Sequence, residues 1–458
     1  MRLFGSRAAS GCAIPVPITS MQGGPFATSL PMLGLLTTVV IGVWLLRRAW
    51  LQPATSVAMT FGVLAMDAFN RSSFPWLAEW KVAQGLTVLV VTIACVRQVS
   101  RYGVRSALLH RSVFLRAALV YFAYALLAAS WSSDPGASAL VWLSFSKYLI
   151  VFILGAHLVV RDREDLGVAL REIALVWTPY LALVLFAGRW GARGIISRLA
   201  SDHEWEGFGA GEVGYLVLPT LAAACALTLP LLTRWPRWLR TVGVVIMLAL
   251  IVRSGARGQL VACALGAAAY VPSWALRALG VALLRGAVMV AIAFGIAVLL
   301  DQGEYPQVLI RWTAARLQAA LQERWDLISQ LWAAYAAGGW GTILFGLGTA
   351  ESGVLMGIYP HFIPVEVLCE QGLVGLALLG TALGVLITQA RRAIRTTGRS
   401  DTDAAIIALF LFLCLVGLKS GGVLASPWLW TTAALLGRGL RDSSSNGAEV
   451  DERVSRRA

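Results

Sequence analysis

Charge is scarce in this chain. Asp, Glu, Lys and Arg make up 14% of its 458 residues, where a soluble domain carries about 25%. An ordinary water-soluble enzyme and a disordered polar chain are both excluded. Lysine is nearly missing: only Lys81, Lys147 and Lys419 occur, and every other basic side chain is arginine. The six cysteines are Cys12, Cys95, Cys225, Cys263, Cys369 and Cys414. They include no Cys-x-x-Cys pair, and all but Cys12 lie in apolar runs. They read as small buried hydrophobes, against a disulfide framework or a metal site. The chain has no Gly-x-x-x-x-Gly-Lys-Ser/Thr phosphate loop, no His-Glu-x-x-His and no Gly-x-Ser-x-Gly. Nor is an Asp-x-Asp pair set in a nucleotide-sugar fold. No cofactor and no metal ion are expected.

Hydrophobic residues, in contrast, reach 58% and gather in long continuous runs. Because the runs do not alternate with polar residues, a β-barrel is disfavoured. The pattern predicts an all-α polytopic transmembrane helix bundle of about 12–13 spans. They fall near 30–46, 53–66, 82–96, 114–130, 139–160, 173–187, 212–232, 241–252, 258–275, 280–300, 362–388, 404–418 and 423–437. The net charge is +14, but the charges are scattered between apolar segments. With no basic stripe, nucleic acid is not an expected partner; membrane lipids are. Arg47 and Arg48, the arginines of 97–113 and 233–240, and Arg391, Arg392, Arg395 and Arg399 all fall on one side. The positive-inside rule makes that side cytoplasmic.

Five regions follow. Residues 1–29 are an N-terminal extension, 30–300 and 362–437 carry the transmembrane helices, and 438–458 form a polar tail expected to be disordered and cytoplasmic. Between the helical blocks, 301–361 is the one long insertion, on the outer side. Within it Leu317, Leu321, Trp325, Ile328 and Trp332 recur at helical spacing, opposite Gln318, Glu323 and Gln330. This predicts an amphipathic helix over 307–336, lying on the membrane–water boundary or packed as a cap on the bundle. Gly338, Gly339, Gly346, Gly348, Gly353 and Gly357 then predict an irregular loop.

Polar groups near a bilayer are costly and tend to be functional, and here the outer side collects them. Segment 188–211 brings Arg189, Arg193 and Arg198, then Asp202, His203, Glu204 and Glu206. Arg257, in Arg253-Ser254-Gly255-Ala256-Arg257-Gly258, sits at the outer mouth of a helix between glycines that would let a ligand approach. A guanidinium there can hold a phosphate through two parallel hydrogen bonds; the plainer alternative is a contact to lipid headgroups. His361 opens a helix whose one face takes Val365, Leu368 and Gly372 and another Glu366 and Glu370. At the water boundary it could act as a base near pH 7, or simply hydrogen-bond there. Lys147 lies within a span, roughly 12 Å from its outer end at ~1.5 Å per residue. It would neutralise a buried phosphate or pair with a carboxylate.

Tyr359-Pro360-His361, followed by Glu370-Gln371-Gly372-Leu373-Val374-Gly375, resembles the histidine–glycine signature of the O-antigen ligase and polymerase superfamily. The spacing is a histidine, ten residues, a glycine, two residues and a glycine. Ser254-Gly255-Ala256-Arg257-Gly258 resembles that family's Ser-x-x-Arg-Gly element. The outer segment, with Arg324-Trp325 and Gly346-Leu347-Gly348, is also similar. Phe362 stands where the ligase branch has a small polar residue. Gly207-Phe208-Gly209-Ala210-Gly211 replaces an Asn-Pro-Asn-like turn, and family members commonly have twelve spans.

The resemblance implies a glycosyltransferase of the bacterial inner membrane, with its active site facing the periplasm. It would be inverting and metal-independent. The donor would be a glycan on undecaprenyl pyrophosphate. The acceptor would be lipid A–core in a ligase or a second lipid-linked glycan in an O-antigen or exopolysaccharide polymerase. His361 would be the catalytic base and Arg257, Arg198 and Arg193 the pyrophosphate ligands, with Lys147 and Arg324 as further substrate contacts. A membrane transporter is the alternative of another class; it would favour polar groups at the midplane and an inverted repeat.

Overall fold

A computed structural model describes residues 29–73, 81–103, 112–187, 190–191, 194–195, 210–270, 276–301, 312–356, 362–397, 400–418, 422, 424 and 426–439. Among these, seventeen α-helices form. The first six are α1 (Ser29–Leu51), α2 (Val57–Ser73), α3 (Val82–Tyr102), α4 (Val113–Ala128), α5 (Pro135–Leu149) and α6 (Gly155–Val159). Then come α7 (Arg163–Ala187), α8 (Ala210–Thr228), α9 (Arg237–Arg253), α10 (Arg257–Ala267) and α11 (Leu276–Leu299). The outer insertion supplies α12 (Ala314–Ala337), α13 (Trp340–Phe345) and α14 (Glu351–Met356), and α15 (Ile363–Thr397), α16 (Asp401–Gly417) and α17 (Pro427–Gly439) complete the bundle. A single hairpin, β1 (Trp190–Gly191) with β2 (Gly194–Ile195), pairs antiparallel.

Five segments are long and apolar enough to cross a membrane: Val82–Tyr102, Val113–Trp131, Arg163–Phe186, Gly280–Leu299 and Ile363–Arg391. Their outward faces carry exposed large apolar side chains, such as Val88, Leu119, Leu284 and Ile292. Water-soluble monomers do not expose apolar surface on this scale. The chain is an all-α polytopic membrane bundle.

The interior is close-packed around tryptophan. Trp177 is fully buried and donates its indole N–H to the Ala58 carbonyl at 2.6 Å. It fills the space opposite Gly62, where a Cβ would stand 1.7 Å from the indole ring. Trp430 packs among Phe114, Tyr121 and Phe122, and Phe61 stacks on Trp428. These contacts join α2, α4, α7 and α17 in one core.

The two ends of the bundle differ in chemistry. At one end arginines meet carboxylates: Arg48 with Glu172 at 2.5 Å, Arg161 with Asp165 at 3.1 Å, and Arg163 with Asp403. Asp403 also closes a capping box with Ser400, which starts α16. We call this the basic end. At the opposite end, helices stop on glycine turns and hydrogen bonds to backbone.

Several predicted bounds move. The span expected at 173–187 starts at Arg163, because the charges of its first turns are paired rather than solvated. The 139–160 span begins at Pro135, capped by Asp134, whose carboxylate accepts the Ala137 N–H at 2.9 Å. It passes through a π turn at Ile150–Leu154. Lys147 is thus twelve residues into the helix, about 18 Å from its start. The amphipathic helix runs Ala314–Ala337 among the described residues. The loop expected after it contains the short helices α13 and α14.

Candidate functional site

At the end away from the paired arginines, three helices finish together. Arg253, the last residue of α9, donates to the Leu185 carbonyl of α7 at 2.7 Å and to the Leu300 carbonyl just past α11 at 2.9 Å. Trp312 adds a bond to the Val252 carbonyl at 3.3 Å. Arg253 lies just beyond the 241–252 span. Burial lowers its guanidinium to about 10, against the opposing pull of Asp301, so it stays charged at neutral pH. It is a bracket, with both arms on backbone.

The next residues turn the chain. Gly255 has φ +70°, Ala256 donates to the Ile251 carbonyl and Gly255 to the Val252 carbonyl. That is a Schellman ending of α9, which glycine makes without a Cβ penalty. Gly255 therefore serves the turn, where the sequence suggested room for a ligand. Arg257 follows at once as the first residue of α10. Its guanidinium is half-buried, and Nη1 is buried with no hydrogen-bond partner among the described residues. A cationic fork at a helix N-terminus with an unused donor can take an anionic oxygen.

α10 lies tightly along α16: a Cβ on Gly266 would stand 2.7 Å from the Ala408 carbonyl. The two helices run antiparallel, so the Arg257 end of α10 is level with the Gly417 end of α16. Ile363, at the start of α15, packs against that same Gly417. Arg257 and the beginning of α15 therefore flank one helix terminus.

α15 is not a simple helix. Gly372 takes φ +67° and ψ −168° and interrupts it. A Cβ there would sit 2.3 Å from the Leu344 carbonyl. The interruption frees carbonyls, and the preceding loop takes them: Leu347 N–H donates to Cys369 and Gly348 N–H to Glu370, both at 2.8 Å. Tyr124 of α4 donates to the Gln371 carbonyl at 2.8 Å. The Glu370 carboxylate reaches back into the loop. It accepts from the Ala350 N–H at 2.9 Å, the Ser352 N–H at 3.1 Å and the Ser352 hydroxyl. Glu351 points the other way and accepts from the Ser132 hydroxyl at 2.6 Å and the Ser133 N–H at 2.9 Å. Two carboxylates thus fasten the 346–352 loop between α15 and the turn after α4. Tyr124, Trp131 and Phe345 form an aromatic group beside it.

Of the six candidate site residues, two have described side chains, Arg257 and Arg324. Arg324 is half-buried on α12, a helix that touches α15 through Leu331 and Tyr335 packed on Cys369. His361, Arg193 and Arg198 lie outside the described residues, and Lys147 is described only as part of α5. Gly372, expected on a continuous helical face with His361, instead breaks the helix. Arg253, Glu351, Ser132 and Ser352 were not singled out as functional by sequence. The sequence placed Glu366 and Glu370 on one helical face and assigned neither a role. No protein-family model matches the chain, and no curated protein matches it in sequence.

Proposed function

We propose that the chain is a membrane glycosyltransferase that moves a glycan from undecaprenyl pyrophosphate to a sugar acceptor on the periplasmic side of a bacterial inner membrane. The acceptor proposed first is lipid A–core, which makes it an O-antigen ligase. The observation that carries the reading is Arg257: a guanidinium with an unused buried donor at the N-terminus of α10, at the same end as the start of α15. A fixed cation there holds a pyrophosphate and offsets the charge that grows as it leaves. In this reading the acceptor hydroxyl attacks the anomeric carbon. The bond to the pyrophosphate oxygen breaks, the lipid pyrophosphate departs with the electron pair, and His361 takes the hydroxyl proton. The displacement inverts the anomeric centre and needs no covalent enzyme intermediate. Arg198 and Arg193 join Arg257 on the phosphates, with Lys147 and Arg324 as outlying contacts.

The test uses purified protein with lipid-linked donor and acceptor. Arg257→Ala is expected to lower turnover about a hundredfold, the usual cost of one transition-state donor, and His361→Ala by at least as much. Near wild-type turnover in both at normal protein levels refutes the reading. Lipopolysaccharide from a deletion strain separates the acceptors: bare core for a ligase, core plus one repeat for a polymerase.

A further inference from the structure

We infer that the basic end carries a binding site for the headgroup of an anionic phospholipid, in the crevice where α1 and α3 finish together. It lies away from Arg257 and stands whether or not the glycan-transfer reading does. The crevice is closed by contacts between the two helix ends. Arg101 donates to the Leu51 carbonyl at 3.3 Å, and the Arg97 guanidinium lies 4.9 Å from the centre of the Trp50 ring. Arg97 and Arg101 are one turn apart and share a face of α3. Arg47 is exposed one residue before the last turn of α1.

Cations and carboxylates are matched around this crevice but not within it. Arg48 is held by Glu172, Arg161 by Asp165 at 3.1 Å and Asp162 at 3.9 Å, and Arg163 by Asp403. Arg47, Arg97 and Arg101 have no carboxylate within ion-pair distance among the described residues. Arg97 Nε is buried without a hydrogen-bond partner. Stacking on Trp50 orders the guanidinium without neutralising it. Below the crevice α1 presents Val39, Val40 and Val43 outward on the side of Arg47, and α3 presents Leu89 and Val96 beside the face that carries Arg97 and Arg101. Ordered cations above an apolar flank match a phosphate headgroup above its acyl chains, and basic clusters at this depth favour anionic lipid.

The experiment is native mass spectrometry of the full chain in neutral detergent, titrated with dioleoylphosphatidylglycerol or dioleoylphosphatidylcholine. The anionic lipid is expected to bind, and the zwitterionic one more weakly. Each arginine near the surface contributes about fivefold. The double variant Arg97→Gln/Arg101→Gln should therefore lose about 25-fold for phosphatidylglycerol and nothing for phosphatidylcholine. Arg97→Lys/Arg101→Lys keeps the charges and should keep most of the binding. Arg316→Gln, an exposed arginine on the first turn of α12 at the opposite end of the bundle, is the control and should leave binding unchanged. Equal binding of the two lipids, no loss in the glutamine pair, an equal loss in the control, or displacement of the lipid by inorganic phosphate would each overturn the site. If the double variant fails to fold, Arg97→Gln alone, with its expected fivefold loss, carries the test.

Discussion

The carboxylate of Glu370 meets no arginine or lysine among the described residues; two backbone N–H groups and one hydroxyl donate to it. Removing such an acceptor leaves several buried donors without partners, each worth about 1–3 kcal/mol. Glu370→Ala is expected to cost about 3 kcal/mol after relaxation, read as a lower unfolding midpoint in detergent. It should also open the 346–356 segment to protease before the bundle unfolds. Glu370→Gln keeps an oxygen acceptor and should lose less than half as much. Equal behaviour of alanine and wild type would show that the clasp contributes nothing. The sequence showed Glu366 and Glu370 on one helical face but not what the latter holds. Its partners lie 18 and 20 residues upstream, and no local spacing encodes such a bond. That Arg257 begins a helix was legible, because the apolar run 258–275 starts just after it. Arg253, four residues earlier, was not, since a guanidinium on a backbone carbonyl leaves no trace in composition.

Helix packing sets stricter limits than helix propensity. Gly62 faces the Trp177 ring so closely that any side chain would overlap it. Gly62→Ala should destabilise by about 1–3 kcal/mol through overpacking. Trp177→Phe removes part of the ring and should also be destabilising alone, through lost volume and the lost bond to Ala58. Combined, the two changes should cost clearly less than their sum, because the smaller ring accommodates the new methyl. Strict additivity in thermal unfolding would mean the contact is not the cause. At this scale the sequence was informative about which apolar runs are helices and poor about where they stop. Charged first turns hid the start of α7, whose arginines and acids bond to other helices and so extend the helix past its apolar stretch. Glycine density around 338–357 masked α13 and α14, whose six residues each are too short to show a period.

Seen whole, the molecule has an apolar girdle, a basic end and an end where polar side chains hold backbone. The class was legible from long apolar runs and the sorting of arginines alone. What could not be read was which apolar faces turn inward, because helices in lipid are apolar on both sides. The amphipathic α12 shows the same ambiguity. Its C-terminal Leu331 and Tyr335 are buried on the bundle, while Leu317, Leu321, Trp325 and Trp332 remain exposed, Trp325 at 67%. Membrane surface and protein cap each claim part of the helix. A spin label at Leu321→Cys should respond more to oxygen than to a water-soluble nickel chelate, as a residue at the bilayer boundary does. The reverse order would mean that this face meets water.

The two acceptors of Arg253 are 68 residues before it and 47 after it. A growing polypeptide cannot complete that bracket until Leu300 has left the ribosome. Arg257, only four positions further on, is anchored to a helix terminus that stays loose until then. The turn that carries Arg257 therefore matures late in biosynthesis, and a nascent chain stalled short of α11 would reach the bilayer with that turn still unset.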